Sequence, residues 1–213
     1  PSLSQPGLLV MDMDSTVIAI ECIDEIAKLA GLGEQVAEVT AKAMRGEIAF
    51  NDSLTHRVAC LEGVPVAHLK KIRDSLPIMP GIQSLLAYFK QHNWKLAIAS
   101  GGFTFFADHL KARLGLDFAI SNTLAVSENL LTGKVEGEIV NADVKARTVK
   151  QLAEKWQIPT SQTVAMGDGA NDLVMMAESA LGVACHGKPL VNEKADVAIR
   201  IGSLHSMLYF LDK

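Results

Sequence analysis

Residues 7–16 read Gly-Leu-Leu-Val-Met-Asp-Met-Asp-Ser-Thr, an apolar run that leads directly into two carboxylates, Asp12 and Asp14. An apolar run without alternation is typical of a strand that is buried on both faces of a parallel sheet. Similar runs follow at residues 94–99, 118–120, 163–166, 181–184 and 195–199, and helical stretches separate most of them. This alternation predicts an α/β fold with a Rossmann-like parallel sheet core covered by helices on both faces.

The segment from residue 18 to residue 76 departs from this alternation, because it carries only helical patterns. Its four amphipathic stretches, one of them marked by Ile23, Ile26, Ala27 and Ala30, predict an inserted four-helix-bundle cap domain. Residues 1–17 and 77–213 would then form the core domain. A second irregular segment, residues 122–141, predicts a small β-hairpin flap within the core, with Gly133 at its turn.

Composition excludes several classes of protein. The 213 residues are 49% hydrophobic and 21% charged, which is ordinary for a globular chain and unlike a disordered one. A net charge of −4 lacks the basic excess of a nucleic-acid-binding protein. No apolar run approaches the roughly 18–20 residues of a membrane span, and no charged segment followed by an apolar one marks a secretory leader.

The three cysteines, Cys22, Cys60 and Cys185, are too few for a disulfide framework and have no Cys-x-x-Cys spacing. We therefore expect reduced thiols and a cytoplasmic location. The expected partner is a small-molecule substrate, with no nucleic acid and no membrane, and the protein would be a monomer or a homodimer. Residues 1–6 are polar and contain two prolines, which fits either a true start or the end of a linker.

Candidate chemistry lies where the strands end, because ligands of parallel α/β sheets bind beyond the carboxyl ends of the strands. Asp12 and Asp14 follow the first apolar run, and Ser100 follows the second. An aspartate can attack phosphorus to form an aspartyl-phosphate, and a second carboxylate can act as general acid and base. Taken singly, the two aspartates equally fit a solvated turn with a helix cap, and Ser100-Gly101-Gly102 fits a tight turn.

A second acidic stretch, Gly167-Asp168-Gly169-Ala170-Asn171-Asp172, follows another buried run. Carboxylates at two strand ends favour a Mg²⁺ site formed together with Asp12, because Mg²⁺ prefers hard oxygen ligands. A site for phosphate would also need a cation to offset these carboxylates. Lys145 is one candidate, and spacing does not exclude its neighbours Arg147, Lys150 and Lys155.

Four features, taken in chain order, resemble the motifs of the haloacid dehalogenase (HAD)-type phosphohydrolases. They are residues 12–16, residues 100–102, Lys145 and residues 167–172. Residues 21–25, 44–46 and 100–104 further resemble the bacterial phosphoserine phosphatases of that superfamily, and the resemblance extends from residue 7 to about residue 201. It implies a HAD-like core and a Mg²⁺-dependent phosphomonoesterase. The implied reaction is hydrolysis of O-phospho-L-serine to L-serine and phosphate through an aspartyl-phosphate, the last step of L-serine biosynthesis.

The resemblance also implies a role for each candidate residue of the core. Asp12 would be the nucleophile and Asp14 the general acid and base. Mg²⁺ would be held by the carboxylates of Asp12 and Asp168 and by the backbone carbonyl of Asp14, with Asp172 in support through water. Ser100, the Gly101 amide and Lys145 would hold the phosphoryl oxygens, and Asn171 would lie close to them.

In the inserted helices, the resemblance implies that Glu21 binds the ammonium of phosphoserine and Arg57 its carboxylate, with Met44 and Phe50 as an apolar wall. The residues alone favour a helix N-terminal acid for Glu21 and a surface cation for Arg57. Two other functions stay open. One is the same chemistry on another small phosphorylated metabolite such as phosphohomoserine, including phosphotransfer; the other is a phosphoacceptor signalling module.

Overall fold

The computed structural model describes residues 1–212, and the side chain of Met44 lies outside its described part. Seven strands occur in the described residues: β1 Leu8–Met11, β2 Lys95–Phe103, β3 Phe118–Ser127, β4 Leu130–Glu136, β5 Thr163–Gly167, β6 Leu181–Cys185 and β7 Val197–Ile199. They form one sheet in the order β4-β3-β2-β1-β5-β6-β7. Every neighbouring pair is parallel except β3 with β4, so the predicted α/β fold is confirmed.

Helices supply the inserted segment and connect the strands. Those of the inserted segment are α1 Cys22–Leu29, α2 Gly33–Met44, α3 Phe50–Ala59 and α4 Val66–Asp74. Those that pack with the sheet are α5 Ile82–Gln91, α6 Thr104–Leu114, α7 Ala142–Lys155, α8 Leu173–Ala177 and α9 Pro189–Lys194. Short 3₁₀ turns cover Thr160–Gln162, Ala170–Asp172 and Leu204–Phe210. Each helix described is too short or too polar to span a bilayer.

Strand β1 lies at the centre of the sheet and is buried on both faces. Successive side chains of a strand point to opposite faces. Leu9 and Met11 accordingly join one hydrophobic cluster, and Leu8 and Val10 join the other. The next residue, Asp12, is therefore brought to the carboxyl edge of the sheet, where its backbone N–H donates to the Met166 carbonyl of β5 at 2.9 Å.

The inserted helices share the hydrophobic cluster on one face of the sheet. Ile23, Ile26 and Ala27, which lie about one helical turn apart on α1, are buried in it. The segments that enter and leave the insertion run side by side: the Ala19 N–H donates to the Pro77 carbonyl, and the Met79 N–H to the Val17 carbonyl, both at 2.9 Å. The division into a core domain and a cap domain at residues 18 and 76 stays a prediction.

Strands β3 and β4 form the expected hairpin, but the predicted turn position was wrong. The turn consists of Glu128 and Asn129, whose φ angles of 51° and 64° are the left-handed values of a two-residue hairpin turn. Gly133 instead lies inside β4 with a φ of 73°. Asparagine tolerates the left-handed region better than most residues, so a turn here does not need glycine.

The outer edge of the hairpin is bonded to the loop between α3 and α4. The Gly63 N–H donates to the Leu131 carbonyl at 2.8 Å, and the Leu131 N–H donates to the Val64 carbonyl at 2.9 Å. Strand β4 crosses the end of α3 so closely that a Cβ at Gly133 would lie 3.0 Å from Glu62 Cβ and 3.3 Å from the Ala59 carbonyl oxygen. The hairpin thereby holds the C-terminal end of α3.

We expect Gly133→Ala to lower the free energy of unfolding more than Gly137→Ala does. Both glycines have a positive φ, so both substitutions impose about 1–2 kcal/mol of backbone strain. Only at Gly133 would the new methyl group also press on a neighbouring element, which adds about 1–3 kcal/mol. Urea unfolding of the two variants measures the difference, and equal losses would show that the added methyl group at position 133 is accommodated without strain between β4 and α3.

Candidate active site

A cavity of about 160 Å³ opens at the carboxyl ends of the central strands, beneath the inserted helices. It brings together residues that the sequence predicted from distant segments. Those that line it are Asp12, Asp14, Glu21, Phe50, Arg57, Ser100, Gly101, Asp168 and Asn171. These residues follow β1 and β5, lie in the C-terminal half of β2 or belong to the inserted segment. The cavity therefore forms only when the sheet and the inserted helices are packed together.

Three buried carboxylates form the floor of this site. Asp12, Asp168 and Asp172 each place one carboxylate oxygen within 4.8 Å of the others. Hard oxygen ligands at this spacing suit a divalent cation such as Mg²⁺. The side chain of Asp14 does not belong to this group among the described residues, and its expected contribution to a metal was its backbone carbonyl alone.

The acidity of these carboxylates supports the same interpretation. Burial raises the pKa of Asp168 to about 7, and the negative charges of Asp12 and Asp172 add to this effect. Burial and Asp12 likewise raise the pKa of Asp172 to about 6, although Lys145 opposes the shift. Carboxylates that repel one another in this way are stabilised in their charged form by a bound cation.

Lys145 is the cation that the fold places in the site. It is fully buried, and its Nζ lies 2.9 Å from Asp12 Oδ1 and 2.8 Å from Asp172 Oδ1. Burial lowers its pKa, but the two carboxylates raise it more, so the group stays an ammonium ion. Arg147 pairs instead with Glu138, and Lys150 pairs with Glu178; both basic residues are exposed.

The position of Asp172 depends on close backbone approach at the end of β5. Its Oδ2 accepts a hydrogen bond from the Gly169 N–H at 3.0 Å, while its Oδ1 accepts from Lys145. A Cβ at Gly167 would collide with the Asp172 carboxyl group. Glycine at position 167 therefore allows the carboxylate of the following 3₁₀ turn to fold back over the end of β5.

Asp14 and Glu21 form a second acidic pair on the side of the cavity that faces the insertion. Burial raises the pKa of Asp14 well above its ordinary value, and the charges of Glu21 and Asp12 raise it further. A raised pKa favours the protonated form of this carboxyl group, which is the form that a general acid needs. Glu21 accepts a hydrogen bond from Ser15 Oγ at 2.6 Å and caps no N–H of α1, which argues against a purely helix-capping role.

Helix α3 presents one face to the cavity. Phe50, Leu54 and Arg57 are spaced four and three residues apart, so they share that face, and all three line the cavity. Arg57 is half-buried; burial lowers its pKa, and Asp24 and Glu21 oppose this shift. Met44 was expected beside Phe50, but its side chain lies outside the described residues.

Sequence reasoning missed Lys188, which also lines the cavity. Its backbone N–H donates to the Asp168 carbonyl at 3.1 Å. Burial raises the pKa of both Asp168 and Glu21, and the charge of Lys188 opposes this rise. Lys188 follows β6, the neighbour of β5, so the rule that ligands bind beyond strand ends could have identified it. Ile23 and Leu54 were missed as well, because their apolar spacing indicates only a buried helix face.

Comparisons with known proteins agree with this geometry. A family model described as haloacid dehalogenase-like hydrolase matches residues 7–179. A Vibrio cholerae protein named phosphoserine phosphatase is 53% identical over 211 residues, which are 99% of this chain and 64% of that protein. The chain therefore spans slightly less than two thirds of that relative.

Two solved structures of phosphoserine phosphatases are similar over almost their whole length. One, described as a substrate-bound complex, is 35% identical with a TM-score of 0.91, and the match covers 98% of this chain and 99% of that one. The other, described as a phospho-aspartyl intermediate analogue, is 36% identical with a TM-score of 0.91, and the match covers 98% and 100%.

We expect the affinity for Mg²⁺ to fall as the pH is lowered from about 8 to about 6. Because the pKa of Asp168 is raised to about 7, this carboxyl group takes up a proton over that range in the metal-free protein, and the proton competes with the ion. Calorimetry in two buffers of different ionisation enthalpy measures the affinity and the protons released. An affinity that does not change with pH would contradict the assignment, and Asp168→Asn should abolish both signals.

Proposed function

Because this chain belongs to the haloacid dehalogenase-like hydrolase family, we propose that it hydrolyses O-phospho-L-serine to L-serine and phosphate through an aspartyl-phosphate intermediate. One observation carries this proposal: a single cavity is lined both by carboxylates at two strand ends and by two opposite charges that could bind the rest of the substrate. Asp12 and Asp14 follow the central strand β1, and Glu21 and Arg57 belong to the inserted segment. The names of the similar proteins support the same substrate.

In the proposed first step, a carboxylate oxygen of Asp12 attacks phosphorus and the bond from phosphorus to the serine oxygen breaks. Asp14 donates its proton to the departing oxygen, which its raised pKa permits. In the second step, Asp14 accepts a proton from water while that water attacks the phosphorus of the aspartyl-phosphate. The carboxylate of Asp12 is thereby released, and phosphate leaves.

Charge decides whether the first step can occur, because a carboxylate and a phosphate dianion repel each other. The ammonium of Lys145, 2.9 Å from Asp12 Oδ1, offsets part of this charge. Asp12, Asp168 and the Asp14 backbone carbonyl would hold Mg²⁺, with Asp172 in support. When bound, that ion would neutralise charge on the phosphoryl oxygens. The hydroxyl of Ser100 and the Gly101 amide would bind those oxygens as well, with Asn171 beside them.

Specificity would depend on the residues that bind the part of the substrate beyond its phosphoryl group. Phosphoserine carries an ammonium and a carboxylate, which Glu21 and Arg57 would bind respectively. A guanidinium can form two parallel hydrogen bonds with a carboxylate, so Arg57 favours that group over a neutral one. Phe50 would close the apolar side. A place at the end of L-serine biosynthesis and a cytoplasmic location follow from this proposal.

The proposal is tested by phosphate release from O-phospho-L-serine with Mg²⁺ and with EDTA, beside phosphohomoserine, phosphoethanolamine and an aryl phosphate. We expect Mg²⁺-dependent turnover that is fastest with phosphoserine. Asp12→Asn, which removes the nucleophile at nearly constant volume, should reduce turnover at least about 1,000-fold without altering the circular dichroism spectrum. Faster turnover of another phosphate would reject the substrate, and a stable aspartyl-phosphate without turnover would favour the signalling module.

We expect Arg57→Ala to act on the carboxylate of the substrate and not on its phosphoryl group. Loss of a charged hydrogen-bond donor should lower kcat/KM for phosphoserine by roughly 10- to 150-fold. The kcat/KM for an aryl phosphate, which has no such carboxylate, should change less than about threefold. Arg147→Ala, which removes an exposed arginine that pairs with Glu138, is the control. Equal losses on both substrates would place Arg57 outside the specificity site.

A further inference from the structure

A buried amide outside the cavity connects the two segments that carry the phosphate-binding groups. Asn122 lies in β3, opposite the irregular end of β2 where the register of the two strands shifts, and its side chain has no exposed surface. Its Nδ2 donates to the Gly101 carbonyl at 2.8 Å, and its Oδ1 accepts from the Val140 N–H at 2.8 Å. The amide nitrogen and the amide oxygen thereby each form a hydrogen bond with a backbone group, and the two backbone groups belong to separate segments.

The chemistry of the partners fixes the orientation of this amide. The Gly101 carbonyl can only accept a hydrogen bond, and the Val140 N–H can only donate one. A flipped amide would set donor against donor and acceptor against acceptor. Asn122 is therefore matched to these two groups in one orientation, and neither aspartate nor leucine could replace both bonds.

The first bond reaches Ser100 through a single peptide unit. The carbonyl of Gly101 and the N–H of Gly102 belong to the same planar peptide and point in opposite directions. Asn122 holds the carbonyl, and the Gly102 N–H donates to Ser100 Oγ at 3.0 Å. Since Ser100 Oγ accepts this bond, its own proton is free to be donated to an anion in the cavity that Ser100 lines.

The second bond reaches Lys145 through the start of α7. Val140 precedes Asn141, whose side chain accepts from the Val144 N–H at 3.1 Å and whose carbonyl accepts from the Lys145 N–H at 3.0 Å. The position of Val140 therefore sets where the first turn of α7 lies, and with it the buried ammonium of Lys145.

We propose that Asn122 is a positioning residue that holds Ser100 and Lys145 in fixed relation around the phosphoryl group. The inference rests on the proposed function, because it concerns the groups that would bind the transferring phosphate. Asn122 is not among the described residues that line the cavity, so it would act only through these two side chains. Displacement of binding groups by about 1 Å can cost about 100-fold in rate.

The test compares Asn122→Ala and Asn122→Asp with the matched control Ser121→Ala. Ser121 precedes Asn122 in β3 and is also buried, and its hydroxyl has no hydrogen-bond partner among the described residues. Asn122→Asp keeps an acceptor for Val140 but places a carboxylate oxygen against the Gly101 carbonyl, so it isolates the bond toward Ser100. All variants are studied as the full chain with Mg²⁺.

We expect both Asn122 variants to lose about 10- to 100-fold in kcat/KM, by the same factor for phosphoserine and for an aryl phosphate, because the two substrates share only the phosphoryl group. Binding of inorganic phosphate, measured by calorimetry on the folded protein, should weaken about tenfold by the same displacement. Ser121→Ala should match the unsubstituted protein in both measurements. A merely structural role would lower the unfolding midpoint and leave the phosphate affinity of the folded fraction unchanged.

Folded Asn122 variants with phosphate affinity and kcat/KM within about twofold of the unsubstituted protein would overturn the proposal. A loss confined to phosphoserine would also overturn it, because that result assigns the effect to the carboxylate end of the substrate. If Asn122→Ala does not fold, Asn122→Ser takes its place in the same comparison. If the unsubstituted protein hydrolyses neither substrate, the proposed function fails, while the phosphate affinities still test Asn122.

Discussion

The buried ammonium of Lys145 is the interaction on which the rest of the site depends. Carboxylates that are brought together out of water repel one another and take up protons unless a positive charge accompanies them. Lys145 supplies that charge between Asp12 and Asp172, with distances of 2.9 and 2.8 Å. A single ammonium does not balance Asp12, Asp168 and Asp172 together, and burial, with the charges of Asp12 and Asp172, raises the pKa of Asp168. The same excess makes these three oxygens fit a divalent cation.

The backbone places these charges. Strands β1 and β5 are parallel neighbours, so Asp12 and Asp168 emerge at the same edge of the sheet. Lys145 comes from a helix that starts beside that edge, and the start of the helix is held by Asn141 and, through Val140, by Asn122. In water, charged groups would have to reorient around the substrate at every turnover. Here the sheet and the hydrogen bonds at its edge hold the carboxylates and the ammonium in place.

Much of this organisation could be predicted because it follows from local pattern. The apolar runs indicated the parallel sheet, and the strand-end rule indicated Asp12, Asp14, Ser100 and Asp168, because parallel strands place their carboxyl ends together. The roles of Glu21 and Arg57 came only from a family resemblance, since an acid and a base on helices are ordinary surface residues by pattern. The hairpin turn was misplaced at Gly133, because a glycine with a positive φ can serve close packing between elements as well as a turn.

The amino-acid sequence by itself determined the layered α/β architecture and the presence of acidic groups at two strand ends, because hydrophobic periodicity and strand direction are properties of short segments. Only the tertiary structure decided which of four nearby cations enters the site, that Lys188 lines the cavity, and that Asn122 joins the end of β2 to the segment before α7. Each of these depends on contacts between segments far apart in the chain. Local spacing cannot show which side of a helix becomes buried, or which backbone groups are left for a side chain to satisfy.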